Sequence, residues 1–172
     1  FDLGTKTTTL AEMHTDADTR PLFRSYTGTS SPTRYFPALT AILAGNLESI
    51  TGERLPTTDR DMKFRLTGRS GAQGFNQDDM TVTVDKDAGP LVVTAPAAAS
   101  TFSGGTGVNV TWNVANTTAA PVSCSNMTIS YSSDSGQNFD TTLLASTPND
   151  GAQVITLPNA TTTQGRICLL YT

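Results

Sequence analysis

The strongest order in this chain is an alternation of apolar and polar residues at every second position. Val108, Val110, Trp112 and Val114 share one side of such a run, and Asn109, Thr111 and Asn113 share the other. Successive side chains of an extended strand point to opposite faces, so this run predicts a half-buried β-strand with Trp112 directed into a core. Met127, Ile129 and Tyr131 repeat the pattern in CSNMTISYSS, and Ile167, Leu169 and Tyr171 repeat it in the final RICLLYT, which turns Cys168 to the opposite face. LVVTAP and VITLP predict two further strands, each stopped by a proline.

The stretch Val108 to Phe139 therefore reads as the centre of a β-sandwich, with Trp112 as its core anchor. A sugar-stacking role for Trp112 would need the outer face, against the Val pattern. Within the same stretch, Ser132, Asp134, Gly136 and Phe139 have the S-x-D-x-G-x-x-aromatic spacing of an Asp box. In that motif the acid bonds its own turn, the glycine permits an unusual backbone, and the aromatic packs beneath. The expectation is a stapled hairpin, not a catalytic site.

Upstream, Met62, Phe64 and Leu66 alternate with Lys63, Arg65 and Thr67, and Met80, Val82 and Val84 alternate after the Gly-rich GRSGAQGFNQDD. Two such runs predict an antiparallel hairpin with one buried face. Asn76, Asp78 and Asp79 then fall in its loop, where turn chemistry is the ordinary role and cation binding the alternative. Before the hairpin, PLFRSY is extended and TGTSSP is a turn. Pro37 opens a short helix near residues 38–44, with Leu39, Ile42 and Leu43 on one face and Gly45 ending it. Phe1 to Arg20 shows no periodicity. Its Asp16 and Asp18 read as a solvated loop; Ca²⁺ is the alternative, although the Gly and distal Glu of an EF-hand loop are missing. DKDAGPL breaks the pattern and divides the chain into modules 1–89 and 90–172.

Composition agrees with this all-β reading. The 172 residues carry only 15% charged side chains and are rich in Thr, Ser, Ala and Gly, a mixture suited to short strands and many turns. A net charge of −4 with scattered arginines argues against nucleic acid as a partner. No apolar run reaches the roughly 18 residues that span a bilayer, so no membrane span is expected, and any export signal would lie upstream. Cys124 precedes one strand pattern and Cys168 lies within another, which predicts a disulfide between separated strands. Closing that loop would contribute about 4 kcal/mol in the chain-entropy picture. Asn-x-Thr sequons stand at Asn109, Asn116, Asn126 and Asn159 and matter only in a host that glycosylates exported proteins.

Catalytic signatures are sparse. His14 is the single histidine, so neither an imidazole zinc site nor an HExxH run can be built. No G-x-S-x-G elbow, P-loop or dinucleotide fingerprint occurs, and Glu12, Glu48 and Glu53 lie in irregular segments. The chain is expected not to be an enzyme by itself.

The succession PLFRSY, SPTRYFPAL, AGN, GERLP, DRDMKFRLTGR, DDMTVTV, AGPLVVTAP, VTWNV, SSDSG and TPNDG, with a final RI strand, resembles the region after the catalytic domain in secreted bacterial reprolysin-like metzincin metallopeptidases. The resemblance covers about the whole of Phe1 to Thr172. It implies an exported, extracytoplasmic multidomain protein made here of tandem Ig-like or fibronectin-like modules. Zinc would sit only in an upstream catalytic domain of the same chain, with no cofactor in this region. It further implies that the first module starts earlier, leaving 1–89 as an incomplete sandwich with an exposed sheet edge. The Met62 to Val84 hairpin resembles the last hairpin of PKD or cadherin-like domains, although Ser70 stands where an acid is usual. The expected function is a spacer or a module that engages protein substrates. The rival is an adhesive or carbohydrate-binding module that takes glycans, with Ca²⁺ assisting.

Overall fold

A computed structural model describes residues 16, 20–30, 33–45, 52–71, 74–96 and 98–171. Among the described residues the fold is all-β with one short α-helix, and the strands form three small antiparallel sheets. The chain divides into two compact units, Phe1–Lys86 and Asp87–Thr172, just before the Gly89–Pro90 break that marks the boundary in the sequence.

In the first unit, β1 (Arg60–Arg69) pairs with β2 (Phe75–Val84) in an uninterrupted register that sets Met62 opposite Val82 and Phe64 opposite Met80. Met62 and Phe64 are buried in a cluster with Leu22 and Phe23, against which Phe36 and Val84 pack. The rings of Phe23 and Phe36 meet edge-on at 5.1 Å, and those of Phe36 and Phe64 lie 4.8 Å apart. Such aromatic pairs add about 0.5–1.5 kcal/mol beyond the area they bury. The expected apolar face is only half covered. Leu66 is 70% exposed and Met80 56% exposed, because the cluster reaches Met62 and Phe64 while the strands run on past it. Asn76, Asp78 and Asp79 lie within β2, not in a loop, since the ladder extends to Phe75.

The helix α1 spans Leu39–Leu43, with Ala38 as an N-cap lacking a side-chain bond. Its buried residue is Ala41, whereas Ile42 is exposed, so the expected Leu39, Ile42 and Leu43 stripe is not what the helix buries. Five residues make little more than one turn, too short for a 3.6-residue stripe to develop.

The second unit is a sandwich of two three-stranded sheets. One has the order β3 (Val92–Ala95), β4 (Gly107–Asn113), β7 (Ala152–Thr156); the other has β6 (Thr141–Pro148), β5 (Asn126–Ser132), β8 (Arg166–Leu170). Val108, Val110, Trp112 and Ile155 from the first sheet bury against Ile129 from the second, with Leu143, Leu144, Ile167 and Leu169 packed around them. Val110 and Ile129 lose all their exposure, which contributes about 1.5–3 kcal/mol each. Alternation thus selects the inner face of both sheets.

The strand β6 is absent from the sequence pattern, and its pairing shows why. TTLLAST places Leu143 beside Leu144, which breaks period two. The register between β5 and β6 shifts on both sides of Ile129, and this irregularity lets both leucines reach the core partly buried.

The expected disulfide is absent: Cys124 and Cys168 are both free thiols. Cys168 sits opposite Ser130 in the β5–β8 ladder, while Cys124 precedes Asn126, the first residue of β5. The strand from Asn126 to Ser130 alone covers about 13 Å, beyond the separation a disulfide can bridge. Cys168 also shares the Ser130 side of the sheet, opposite the inward Ile167 and Leu169.

Candidate functional site

The Asp-box residues close the β5–β6 hairpin. Ser132 is the last residue of β5 and is buried, and its hydroxyl donates to Asp134 Oδ1 at 2.6 Å. The hydroxyl oxygen in turn accepts from the backbone N–H of Asp134 at 3.2 Å and of Gly136 at 2.9 Å. The Asp134 carboxylate also accepts from the Asn138 N–H at 3.0 Å and from Asn138 Nδ2 at 2.7 Å. Gly136 has φ of 86°, a left-handed conformation that favours glycine. Phe139 is half-buried and lies outside the central apolar cluster.

These bonds set the local electrostatics. The Ser132 hydroxyl, followed by the Asn138 backbone and side chain, holds the Asp134 carboxyl down to about 2, against a usual value near 3.8. Hydrogen bonds to the ionised form stabilise it relative to the neutral acid. The loop is also tied to the segment before β8, as Ser135 N–H donates to Gln164 O at 3.0 Å and Thr162 Oγ1 donates to Ser133 O at 2.8 Å. Both carboxylate oxygens of Asp134 are thus engaged within the hairpin.

Trp112 is directed inward and is 4% exposed. Its Nε1 donates to Asn149 Oδ1 at 2.8 Å, and Asn149 Nδ2 donates to Thr117 Oγ1 and to Cys124 O at 3.0 Å each. Asn149 belongs to the TPNDG turn. Neither its burial nor its role as a hub is visible in a turn motif, where Asn normally serves the local backbone. Asn109, Asn116, Asn126 and Asn159 are all exposed.

Among the acids of the first unit, Glu53 is fully enclosed. Arg34 Nη2 donates to its Oε1 at 2.8 Å and the Ala38 N–H to its Oε2 at 2.7 Å. Arg34 stacks over the rings of Tyr26 at 4.5 Å and Phe36 at 4.3 Å. Glu53 looked like an acid in an irregular segment because its partners are distant in sequence; it forms an isolated bridge with Phe23. Asp16 is buried as well and accepts from the Thr57 backbone and hydroxyl. Burial alone would raise its pKa, but these bonds outweigh that effect and hold the carboxyl below its usual value. Asp79 receives a bidentate bond from Arg65 at 2.6 and 2.7 Å across the β1–β2 ladder.

Glu12, His14, Asp18 and Glu48 lie outside the described residues. Among the described residues, no three His, Cys, Asp or Glu side chains group so as to hold a metal ion. No described helix is long and apolar enough to cross a membrane. Comparison with protein-family models, curated proteins and solved structures returns no match to this chain.

Proposed function

We propose that the chain is a non-catalytic accessory region of an exported zinc metallopeptidase, acting as a spacer or as a module that engages the substrate of an upstream catalytic domain. The observation that carries this reading is where the chemically capable side chains spend their bonds. Both oxygens of Asp134 close a hairpin, the indole N–H of Trp112 is bonded in the core, and Glu53 is enclosed by Arg34 and a backbone amide. Groups so engaged stabilise a scaffold, because releasing them for a ligand costs the bonds they already make.

Two experiments test this. The coding sequence upstream of Phe1 should contain an HExxHxxGxxH segment, and an upstream region without one overturns the metallopeptidase assignment. Thermal melting of the chain across a panel of glycans and divalent cations should leave Tm unchanged. A ligand-dependent rise in Tm would instead favour the adhesive, glycan-binding reading. That rival draws on the exposed aromatics Phe102 and Tyr171.

A further inference from the structure

An edge strand presents a row of N–H and C=O groups to any strand that can pair with it, and folded proteins blunt such edges with prolines, bulges or covering groups. Among the described strands of the second unit, three of the four edges carry such a device. β3 is bulged between Val93 and Ala95 and stops at Pro96. The β5–β6 register shifts twice, and β6 ends at Pro148. On β7, Gln153 Nε2 donates to the Val154 carbonyl at 2.8 Å. That carbonyl points to the outer edge, because the bond from Trp112 N–H to Gly151 O assigns the odd-numbered residues of β7 to β4. β8 carries no bulge, proline or covering bond. Its register with β5 runs unshifted through all five residues, and β5 is its one neighbour among the described strands. Beside this edge, Leu170 is 57% exposed and Tyr171 50% exposed.

Which groups β8 turns outward follows from β5. The Asn149 N–H donates to Ser125 O at 2.9 Å, and this pair continues the ladder of Asn126 with Pro148 and Met127 with Thr147. The odd-numbered residues of β5 therefore bond toward β6 and the even-numbered ones toward β8. Through the β5–β8 register, Arg166, Cys168 and Leu170 spend their backbone groups on β5, whereas Ile167 and Leu169 direct theirs to the open edge. The same two residues carry the inward side chains of β8, which pack against the central cluster yet are only half-buried. A strand laid along this edge meets both backbone groups and apolar surface.

β8 is complementary to itself. A two-fold axis through Cys168 is the antiparallel register that pairs all five residues of the strand. It sets Ile167 of each copy opposite Leu169 of the other, and both residues are outward-bonding, so each pair exchanges two backbone bonds. Arg166 stands opposite Leu170, so no like charges meet and the arginine stem covers an exposed leucine. Tyr171 falls opposite Gly165, a pairing in which a ring covers glycine backbone. Cys168 faces Cys168 in a non-hydrogen-bonded pair, with Cα atoms about 4.5 Å apart.

We propose that β8 pairs antiparallel with β8 of a second copy of this chain about a two-fold axis at Cys168, which joins the β6–β5–β8 sheets of the two copies into one continuous sheet. The contact is isologous and closes at a dimer. This inference is independent of the accessory role proposed above.

Sedimentation of the full chain over a range of concentrations tests it. The mass average should rise from monomer to dimer and level there. Leu170→Lys sets a cation opposite Arg166 in both halves of the contact and should weaken the dimer about fivefold. Leu170→Glu supplies a carboxylate at the same place and should tighten it about fivefold, a gain that added salt removes. A folding defect would not shift association in opposite directions from one exposed position. Diamide should link the two Cys168 thiols of the unaltered chain, its N=N bond taking up both thiol hydrogens to become a hydrazine as the S–S bond forms, because the Cα separation lies within disulfide reach. Cys168→Ser should abolish this covalent dimer, and Cys124→Ser should leave it. Strict monomers at every concentration overturn the proposal and leave the edge to a strand of another sequence. Growth past a dimer overturns it too, as does a dimer that Leu170→Lys and Leu170→Glu affect alike.

Discussion

The indole Nε1 of Trp112 donates to Oδ1 of Asn149 at 2.8 Å, in a site where both residues are buried. This bond joins a strand of the first sheet of the sandwich to the turn between β6 and β7. Asn149 then spends its amide on Thr117 and Cys124, so one side chain fastens three parts of the unit.

Asn149→Leu should therefore destabilise the second unit by about 3 kcal/mol. It leaves Trp112 Nε1 and the Cys124 carbonyl buried without partners, at about 1–3 kcal/mol for each orphaned group. Urea denaturation reads the change; a shift below about 0.5 kcal/mol would show that the hub is not what holds the turn.

Trp112 is the single tryptophan of the chain, so its emission reports this core without interference. Native fluorescence should be blue-shifted and shielded from acrylamide, moving to the red in one step as the second unit unfolds. Emission already at the solvent-exposed wavelength in the native protein would contradict the burial.

Asp134 predicts an acid limb in stability. Its folded pKa lies near 2 and its unfolded value near about 4, so the unfolded chain binds the proton first as pH falls. The stabilisation is complete above about pH 4 and is lost as pH drops toward about 2. Asp134→Asn should flatten that part of the pH profile of Tm, and an unchanged profile would assign the limb to other carboxylates.

Glu53→Ala should cost the first unit about 3 kcal/mol. Removing one partner of a buried ion pair costs about 3–5 kcal/mol, and the low end applies because the Arg34 side chain keeps 28% of its exposure. Differential melting of the two units checks this, with the tryptophan signal of the second expected to be unaffected.

Thiol counting should find two free cysteines in the denatured chain, with Tm indifferent to reductant. In the native protein Cys168 should alkylate slowly at neutral pH, because burial raises its pKa and lowers its thiolate fraction. A melting point that falls on reduction would restore the disulfide that strand order suggested.

Period two alone was enough to place β4, β5 and β8 and to direct Trp112 inward, since alternation acts through neighbours along one strand. The Asp box was legible for the same reason: of its Ser132, Asp134, Gly136 and Phe139, the first three bond within a few residues of one another, whereas the Asn138 contacts to Asp134 were not part of the motif. Pairing between strands was legible for the β1–β2 hairpin, whose two runs adjoin in sequence, and not for the sheets of the second unit. The irregular β5–β6 register admits the adjacent Leu143 and Leu144, and the β5–β8 register carries Cys168 away from Cys124. The bonding of Glu53 to Arg34 and of Asn149 to Trp112 likewise spans long stretches of chain. Sequence determined which side chains face inward because that follows from the local geometry of a strand. Tertiary structure decided which buried groups meet, because that depends on the register between segments and on where a small core runs out beneath a longer hairpin.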